Sequence, residues 1–237
     1  MLSQKSIYLP VKMIWLEQQQ IEQAQEMLIG NFNQYFPLSA KEREEVKRLF
    51  TPRIVKRKGH LLQEGEICRH YNFVVSGCFK LFAIDANFRE HNIQFAAEGD
   101  WIADFQSFYD QSPSRLNIEA MEPSVLLQIR HGDLLYLYTN YHKFDRNFRI
   151  IVERKFIDYQ NRILQNISST AEERYSVFQK QYRHLINRLP NTQIASYLGI
   201  TAEFLSKIRK KATERRKPWK SFDRSAAYIV GISMPLN

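Results

Sequence analysis

The chain has 237 residues, a formal charge of +9 and a pI near 9.5, long enough for one large or two ordinary domains with real cores. Hydrophobic residues make up 44% and charged residues 25%, the balance of a soluble globular protein. Cys68 and Cys78 alone exclude a disulfide framework and a four-cysteine metal site, no apolar run is long enough to span a membrane, and the N-terminus lacks a signal-peptide core and cleavage site, so a cytoplasmic protein that keeps clear of membranes is expected.

In chain order, Met1 to Pro37 reads as a leader and then a helix, with Leu16, Ile21, Ala24 and Leu28 at helical spacing; Met13 offers an alternative start. Ser39-Ala40-Lys41-Glu42 is a capping box, in which hydroxyl and carboxylate each satisfy an orphan N–H. A short helix to about Phe50 follows, with Val46 and Leu49 inward.

From Arg53 to about Ile129 the pattern changes. Short apolar or alternating runs are punctuated by Gly59, Gly65, Gly77 and Gly99: Ile54-Val55, His60 to Leu62, Tyr71 to Val75, Phe79 to Ile84, His91 to Phe95, Ile118 to Met121 and Val125 to Ile129. Many short strands with regular turn signals predict a β-sandwich or roll. A metal enzyme of the cupin type would need His residues converging with a carboxylate. His60, His70 and His91 are scattered with no His-x-His pair, so no metal site and no catalytic cluster is expected.

Asp133 to Ile167 contains no proline or glycine and predicts one long helix. Phe148, Val152, Phe156, Tyr159, Ile163 and Ile167 make a stripe stepping by three or four residues, with Arg149, Glu153, Arg154, Asp158 and Arg162 opposite. Such a stripe suits a two-stranded coiled coil, or packing on the roll of its own chain. Phe148, Val152, Phe156, Tyr159 and Ile163 are therefore the candidate dimer interface. Ser168-Ser169-Thr170 interrupts the pattern and is the expected hinge. Thr170-Ala171-Glu172-Glu173 is a second capping box, opening a helix to about Arg188.

Leu189 to Ala212 reads as two short helices joined by a tight turn. Asn191 can cap the first. Ile194, Ala195 and Leu198 share a face, with small Ala195 where crossing helices approach closest. Gly199 suits a left-handed turn residue. Thr201 can cap the second helix, which turns Leu205, Ile208 and Ala212 inward. Its other face carries Thr201, Ala202, Glu203, Ser206, Lys207, Arg209, Lys210 and Lys211, short polar and cationic groups suited to a major groove. From Thr201 to Lys220 the cations also include Arg215, Arg216, Lys217 and Lys220, against only Glu203 and Glu214. Such a clustered excess favours a polyanionic partner. After Ala212 only Tyr228 to Ile232 is apolar, enough for one strand.

The order of these motifs resembles the Crp/Fnr (catabolite activator protein-like) family of transcription regulators, especially its compact Bacteroidetes-type members, over about Ser39 to Ala212. Lys58-Gly59, Glu64-Gly65-Glu66, Tyr71 to Gly77 with Lys80, and Gly99-Asp100 look like the turns of that family's cyclic-nucleotide-binding β-roll. The resemblance implies an α+β chain: N-terminal helices and a jelly-roll β-roll over 1–132, a dimerisation helix over 133–167, and a (winged) helix-turn-helix over 168–237. It implies a homodimer on a near-palindromic double-stranded DNA operator, with RNA polymerase as a further partner. Ala202, Glu203 and Lys207 fall where family members read bases; Thr201, Ser206, Arg209, Lys210 and Lys211 fall at phosphate positions. The tail does not resemble the family's wing. In the segment WIADFQSFYDQSPSRLNIEA, Ala103 and Asp104 stand where the family's cassette has Gly-Glu, and Ser114 or Arg115 near its phosphate-binding arginine, followed by Leu116 and Asn117. Asp104, Ser114, Arg115 and Asn117 are thus the candidate effector pocket. The shorter carboxylate and lost glycine argue against cyclic AMP, so no cofactor is expected. The rival reading is a ligand-sensing β-roll dimer whose basic end binds nucleic acid non-specifically.

Overall fold

A computed structural model describes residues 16–216, with side chains through Lys211. The expected leader, the Tyr228 to Ile232 strand and the wing lie outside the described residues.

Helix α1 (Gln18–Asn33) and α2 (Ala40–Leu49) precede the strands. The first capping box forms as read: Ser39 Oγ accepts from the Glu42 amide at 3.4 Å, and Glu42 Oε2 accepts from the Ser39 amide at 2.6 Å. Eight antiparallel strands then build two four-stranded sheets. They are β1 (Thr51–Val55), β2 (His60–Leu62), β3 (His70–Ser76), β4 (Phe79–Ile84), β5 (Glu90–Ala96), β6 (Trp101–Ile102), β7 (Asn117–Ala120) and β8 (Ser124–Arg130). One sheet runs β1-β8-β3-β6, the other β2-β7-β4-β5. This is the expected β-roll, with two elements the sequence reading lacked: β6, and the short helix α3 (Phe105–Asp110). Gly77, at φ +95°, turns β3 into β4; a Cβ there would sit 2.1 Å from Ser124 Oγ, so only glycine fits.

The expected single helix over 133–167 is two, α4 (His131–Asn140) and α5 (His142–Ser168). Tyr141 between them is extended, with φ −142° and ψ 96°. Tertiary contacts hold it out: its hydroxyl donates to Glu45 at 3.1 Å and its ring meets Phe144 and Tyr136. Beyond, α5 begins by packing on the first sheet. Phe148, 1% exposed, joins Phe32, Tyr71 and Trp101 at ring separations of 5.1 to 5.9 Å. Buried Asn147 clamps the chain after α1, accepting from the Phe36 amide and donating to its carbonyl.

The second capping box also forms, with Thr170 Oγ1 accepting from the Glu173 amide. It opens α6 (Ala171–Gln181), which ends short of the expected Arg188 in a series of turns. Then come α7 (Asn191–Leu198) and α8 (Ala202–Arg216).

These last helices share a core with the roll. Phe95 of β5, fully buried, lies among Phe178, Tyr182 and Tyr197, with Cys78 and Ala97 in the same cluster. Polar contacts ring it. Asn92 of β5 donates to the Gln193 carbonyl and side chain, Ser196 Oγ donates to the Glu90 carbonyl at 2.6 Å, and Arg188 clasps Glu98 and Glu122.

Candidate functional site

Helices α7 and α8 make a helix-turn-helix. Ile194, Ala195 and Leu198 of α7 are buried with Leu205 and Ile208 of α8. Gly199 adopts φ +66° at the turn, and the next amide, Ile200, bonds back to the Ala195 carbonyl at 3.0 Å, closing α7 as a left-handed cap does. Thr201 caps α8, its hydroxyl accepting from the Phe204 amide at 3.2 Å. The start of α7 differs from expectation. Pro190 occupies the cap position, and Asn191, already helical, uses Oδ1 to accept from Arg209.

That bond changes the reading of Arg209. Its Nε also donates to the Tyr175 hydroxyl at 2.9 Å, and its guanidinium lies against the Tyr175 ring. A half-buried arginine tied to α6 and α7 braces the motif. Thr201, Glu203, Ser206, Lys207, Lys210 and Lys211 do face solvent, with Ala202 half-buried. Phe204, 42% exposed, stands among them, unremarked in the sequence because its spacing suited neither face. The Glu203 carboxyl is held below its usual range by its own backbone amide and the Thr201 hydroxyl, with Lys207 adding attraction, so the outer face of α8 carries a fixed negative point beside its cations.

The cassette closes on itself. Asp104 caps α3: Oδ1 accepts from the amides of Gln106 and Ser107 at 3.1 and 3.5 Å, and Oδ2 accepts from Ser114 Oγ at 2.6 Å. Both side chains are buried. Asn117, also buried, accepts from the Glu64 amide at 3.0 Å. Of the four candidate pocket residues only Arg115 is exposed, lining an open cavity of about 480 Å³ with Glu64 and Gln106. The α3 cap and Ser114 take up three of the roughly four acceptor sites of the Asp104 carboxylate, and Arg115, the one guanidinium of the four residues, is exposed and not held in place for a cyclic phosphate. These residues do not fit a cyclic nucleotide in the usual cassette pose.

On α5 the expected stripe divides. Phe148 is core, and Tyr159 turns to the roll, its hydroxyl donating to Gln94 Oε1 at 2.8 Å. Phe148 is enclosed, while Tyr159 is half-buried. The rest of the stripe is open: Phe156, Ile163 and Ile167 are 60, 59 and 80% exposed, and Ile157 and Leu164 lie beside them, with Val152 half-buried.

Residues 52–141 match the family model of the cyclic nucleotide-binding domain. No curated protein matches the sequence significantly. Solved structures with the same architecture include FixK2 from Bradyrhizobium japonicum, at 15% identity and TM-score 0.63 over 79% of this chain and 100% of that one. They also include CLP, the c-di-GMP-responsive global regulator of Xanthomonas campestris, at 13% identity and TM-score 0.59 over 75% and 93%. A third is a Eubacterium rectale protein assigned to the Crp/Fnr family of transcriptional regulators, at 16% identity and TM-score 0.58 over 77% and 88%. The chain has the Crp/Fnr fold.

Within this Crp/Fnr fold the roll reaches the helix-turn-helix through two cations with no such role in the sequence reading, Arg162 and Lys80. Arg162 of α5 donates to the carbonyls of Asn92, Ile93 and Tyr197 and stacks 3.9 Å from the centre of the Tyr197 ring. Lys80, 2% exposed, meets Glu90 at 2.5 Å and Glu119 at 3.5 Å, and Gln193 of α7 donates to the same Glu90 carboxylate at 3.1 Å. Burial alone would raise the Glu90 pKa, but the bonds from Lys80 and Gln193 outweigh it and keep the group below its usual range. Both thiols are buried and pushed up, Cys68 to about 11 and Cys78 to about 12, so neither is a poised nucleophile. Among the described residues no three His, Cys, Asp or Glu side chains gather as a metal site, and no helix is long and apolar enough to cross a membrane.

Proposed function

We propose that the chain is a sequence-specific DNA-binding transcriptional regulator that works as a homodimer, with α8 entering the major groove. The observation carrying this reading is the outer face of α8. Thr201, Glu203, Ser206, Lys207, Lys210 and Lys211 stand exposed on a capped helix whose back is locked to α7. Glu203 can accept from cytosine N4 and Lys207 can donate to guanine, while Lys210 and Lys211 meet phosphates. The open face of α5, from Phe156 to Ile167, supplies an apolar strip for a second copy, which would bring two α8 helices to successive grooves. The bond between Asp104 and Ser114 favours an effector other than cyclic AMP, and DNA binding without it.

Selection of bound duplexes from a random pool, without added ligand and at near-physiological salt, tests this. Enrichment of an inverted repeat with half-sites about one helical turn apart is expected. Lys207→Ala should lose discrimination at one base pair per half-site with the dimer intact. An unenriched pool with steep salt dependence would leave only non-specific binding.

A further inference from the structure

A second cleft lies away from the cassette, between the strands at the β1–β2–β3 side of the roll. Its volume is about 710 Å³, within the range of small-molecule sites. Arg53 of β1, His60 of β2, and Arg69 and His70 at the start of β3 line it, over an apolar floor that includes Leu62 and Ile118. None of Asp104, Ser114 and Arg115 contributes to it.

The cleft carries an excess of positive charge, with Arg53 and Arg69 against the single lining carboxylate Glu66. His70 pairs with Arg130 across β3 and β8, and residues directly opposite in an antiparallel pair project to the same side. Burial, then Arg130, Arg53 and Arg69, hold the His70 imidazole below its usual pKa, with Asp133 opposing. Two guanidiniums, Arg53 and Arg69, line the cleft with His70, and a third, Arg130, stands across the strand pair from it. Arg53 spends one bond on a neutral acceptor, the His60 carbonyl at 3.1 Å. Among the described residues none of Arg53, Arg69 and Arg130 pairs with a carboxylate. Glu66 on the rim is engaged by the Gln63 amide at 2.9 Å. Arg53 is half-buried while Arg69 and Arg130 are exposed, so their free guanidinium donors can meet an anion entering from solvent, and guanidiniums bind phosphate or carboxylate in bidentate fashion.

The cleft is also wired to the helix-turn-helix. From Arg53 the contacts pass to His60, whose Nε2 is 3.6 Å from Glu119. Glu119 meets Lys80, Lys80 meets Glu90, and Glu90 accepts from Gln193 of α7. An anion that draws Arg53 from the His60 carbonyl pulls on the first link of a chain ending at α7.

We propose that this cleft binds a small organic anion bearing two oxyanion groups, through Arg53 with Arg69 and Arg130, and that its occupancy changes how tightly α7 is held on the roll. The binding and its effect on α7 stand apart from the DNA-binding reading; only the regulatory meaning rests on it.

Isothermal titration of the full chain with inorganic pyrophosphate and, separately, with citrate tests the site. Saturable one-to-one binding of at least one of them is expected. Response to pyrophosphate alone identifies a phosphate site, and response to citrate alone a carboxylate site. Arg53→Gln, and independently the exposed Arg130→Gln, should weaken binding about tenfold or more. Lys207→Ala/Lys210→Ala/Lys211→Ala should leave it unchanged. No saturable binding of either anion at millimolar concentration overturns the proposal. So does equal affinity in both arginine variants, or loss of binding in the α8 variant. Hydrogen exchange of α7 amides should change on adding the bound anion in the wild type and not in Lys80→Met; unchanged exchange in the wild type overturns the coupling.

Discussion

Replacing Phe95 by alanine should uncouple the C-terminal helices from the roll. Phe95 is fully buried on β5, with ring centroids of Phe178, Tyr182 and Tyr197 at 6.3, 6.1 and 5.4 Å. Truncating a buried phenylalanine costs about 3–5 kcal/mol. Here the lost contacts are almost all with α6, α7 and the turns between them, so most of that cost falls on docking and not on the roll's own stability. At about 1.4 kcal/mol per decade, a docking loss of about 3–4 kcal/mol makes opening roughly a hundred- to a thousandfold more frequent. Hydrogen exchange resolved by segment reads this directly. Amides of α7 should lose roughly two to three decades of protection, while β3 and β8 keep theirs. Phe95→Leu, which conserves most of the volume, should lose far less. Unchanged α7 protection in Phe95→Ala would refute the docking argument. Equal loss in β3 would make Phe95 an ordinary core residue of the roll.

Asp104→Ala removes the α3 cap and leaves the Ser114 hydroxyl only its Leu116 backbone partners, a cost of about 1–2 kcal/mol visible as a lower melting temperature; the heat of cyclic AMP addition should be the same before and after, whereas a ribose-binding role would give the reverse pattern. Phe148→Ala should destabilise the fold by about 3–5 kcal/mol, while Ile163→Ser, on the open side of α5, should leave unfolding nearly unchanged and shift sedimentation toward monomer. Glu98 has a pKa of about 2 against an ordinary 4.5: burial would raise it, but Arg188 and the Gly77 amide outweigh that. A carboxyl depressed on folding stabilises above its unfolded pKa and loses that contribution as pH falls toward its folded one. Urea unfolding should therefore weaken between pH 5 and 3, and Arg188→Gln should flatten that limb by about 1 kcal/mol, screened because the pair is partly exposed.

Features set by neighbours in the chain were legible in the sequence. Both capping boxes, Ser39 with Glu42 and Thr170 with Glu173, need only three residues of spacing and form as read. Glycine punctuation located the longer strands, and Gly199 with Leu205 and Ile208 located the helix-turn-helix. Short or long-range features were not legible. Trp101-Ile102 is a strand only because β3 lies beside it. Tyr141 breaks a helix without proline or glycine because Glu45, far off in sequence, holds its hydroxyl. On α5 a period of three to four fits both the roll-facing residues Phe148 and Tyr159 and the open residues Phe156 and Ile163; periodicity reports spacing, and only packing assigns the partner. Arg209 and Lys210 are equivalent cations in sequence, yet Tyr175 and Asn191 claim the first. Asp104 stood at the right spacing for a ligand, but one methylene fewer than glutamate and a helix starting just after it turn its carboxylate back on the chain.

The aromatic socket around Phe95 bears on how such proteins can be recombined. A cut at the Ser168 to Thr170 bend looks natural on paper, since one helix ends and another begins there. Yet Phe178, Tyr182 and Tyr197 complete their packing on a strand of the other module, so a graft made at that bend would carry half an interface. A chimaera that receives a foreign sensor must bring β5's Phe95, Asn92 and Glu90 with the helices or rebuild their equivalents. The transferable unit is the helix-turn-helix together with the sheet edge on which it is seated.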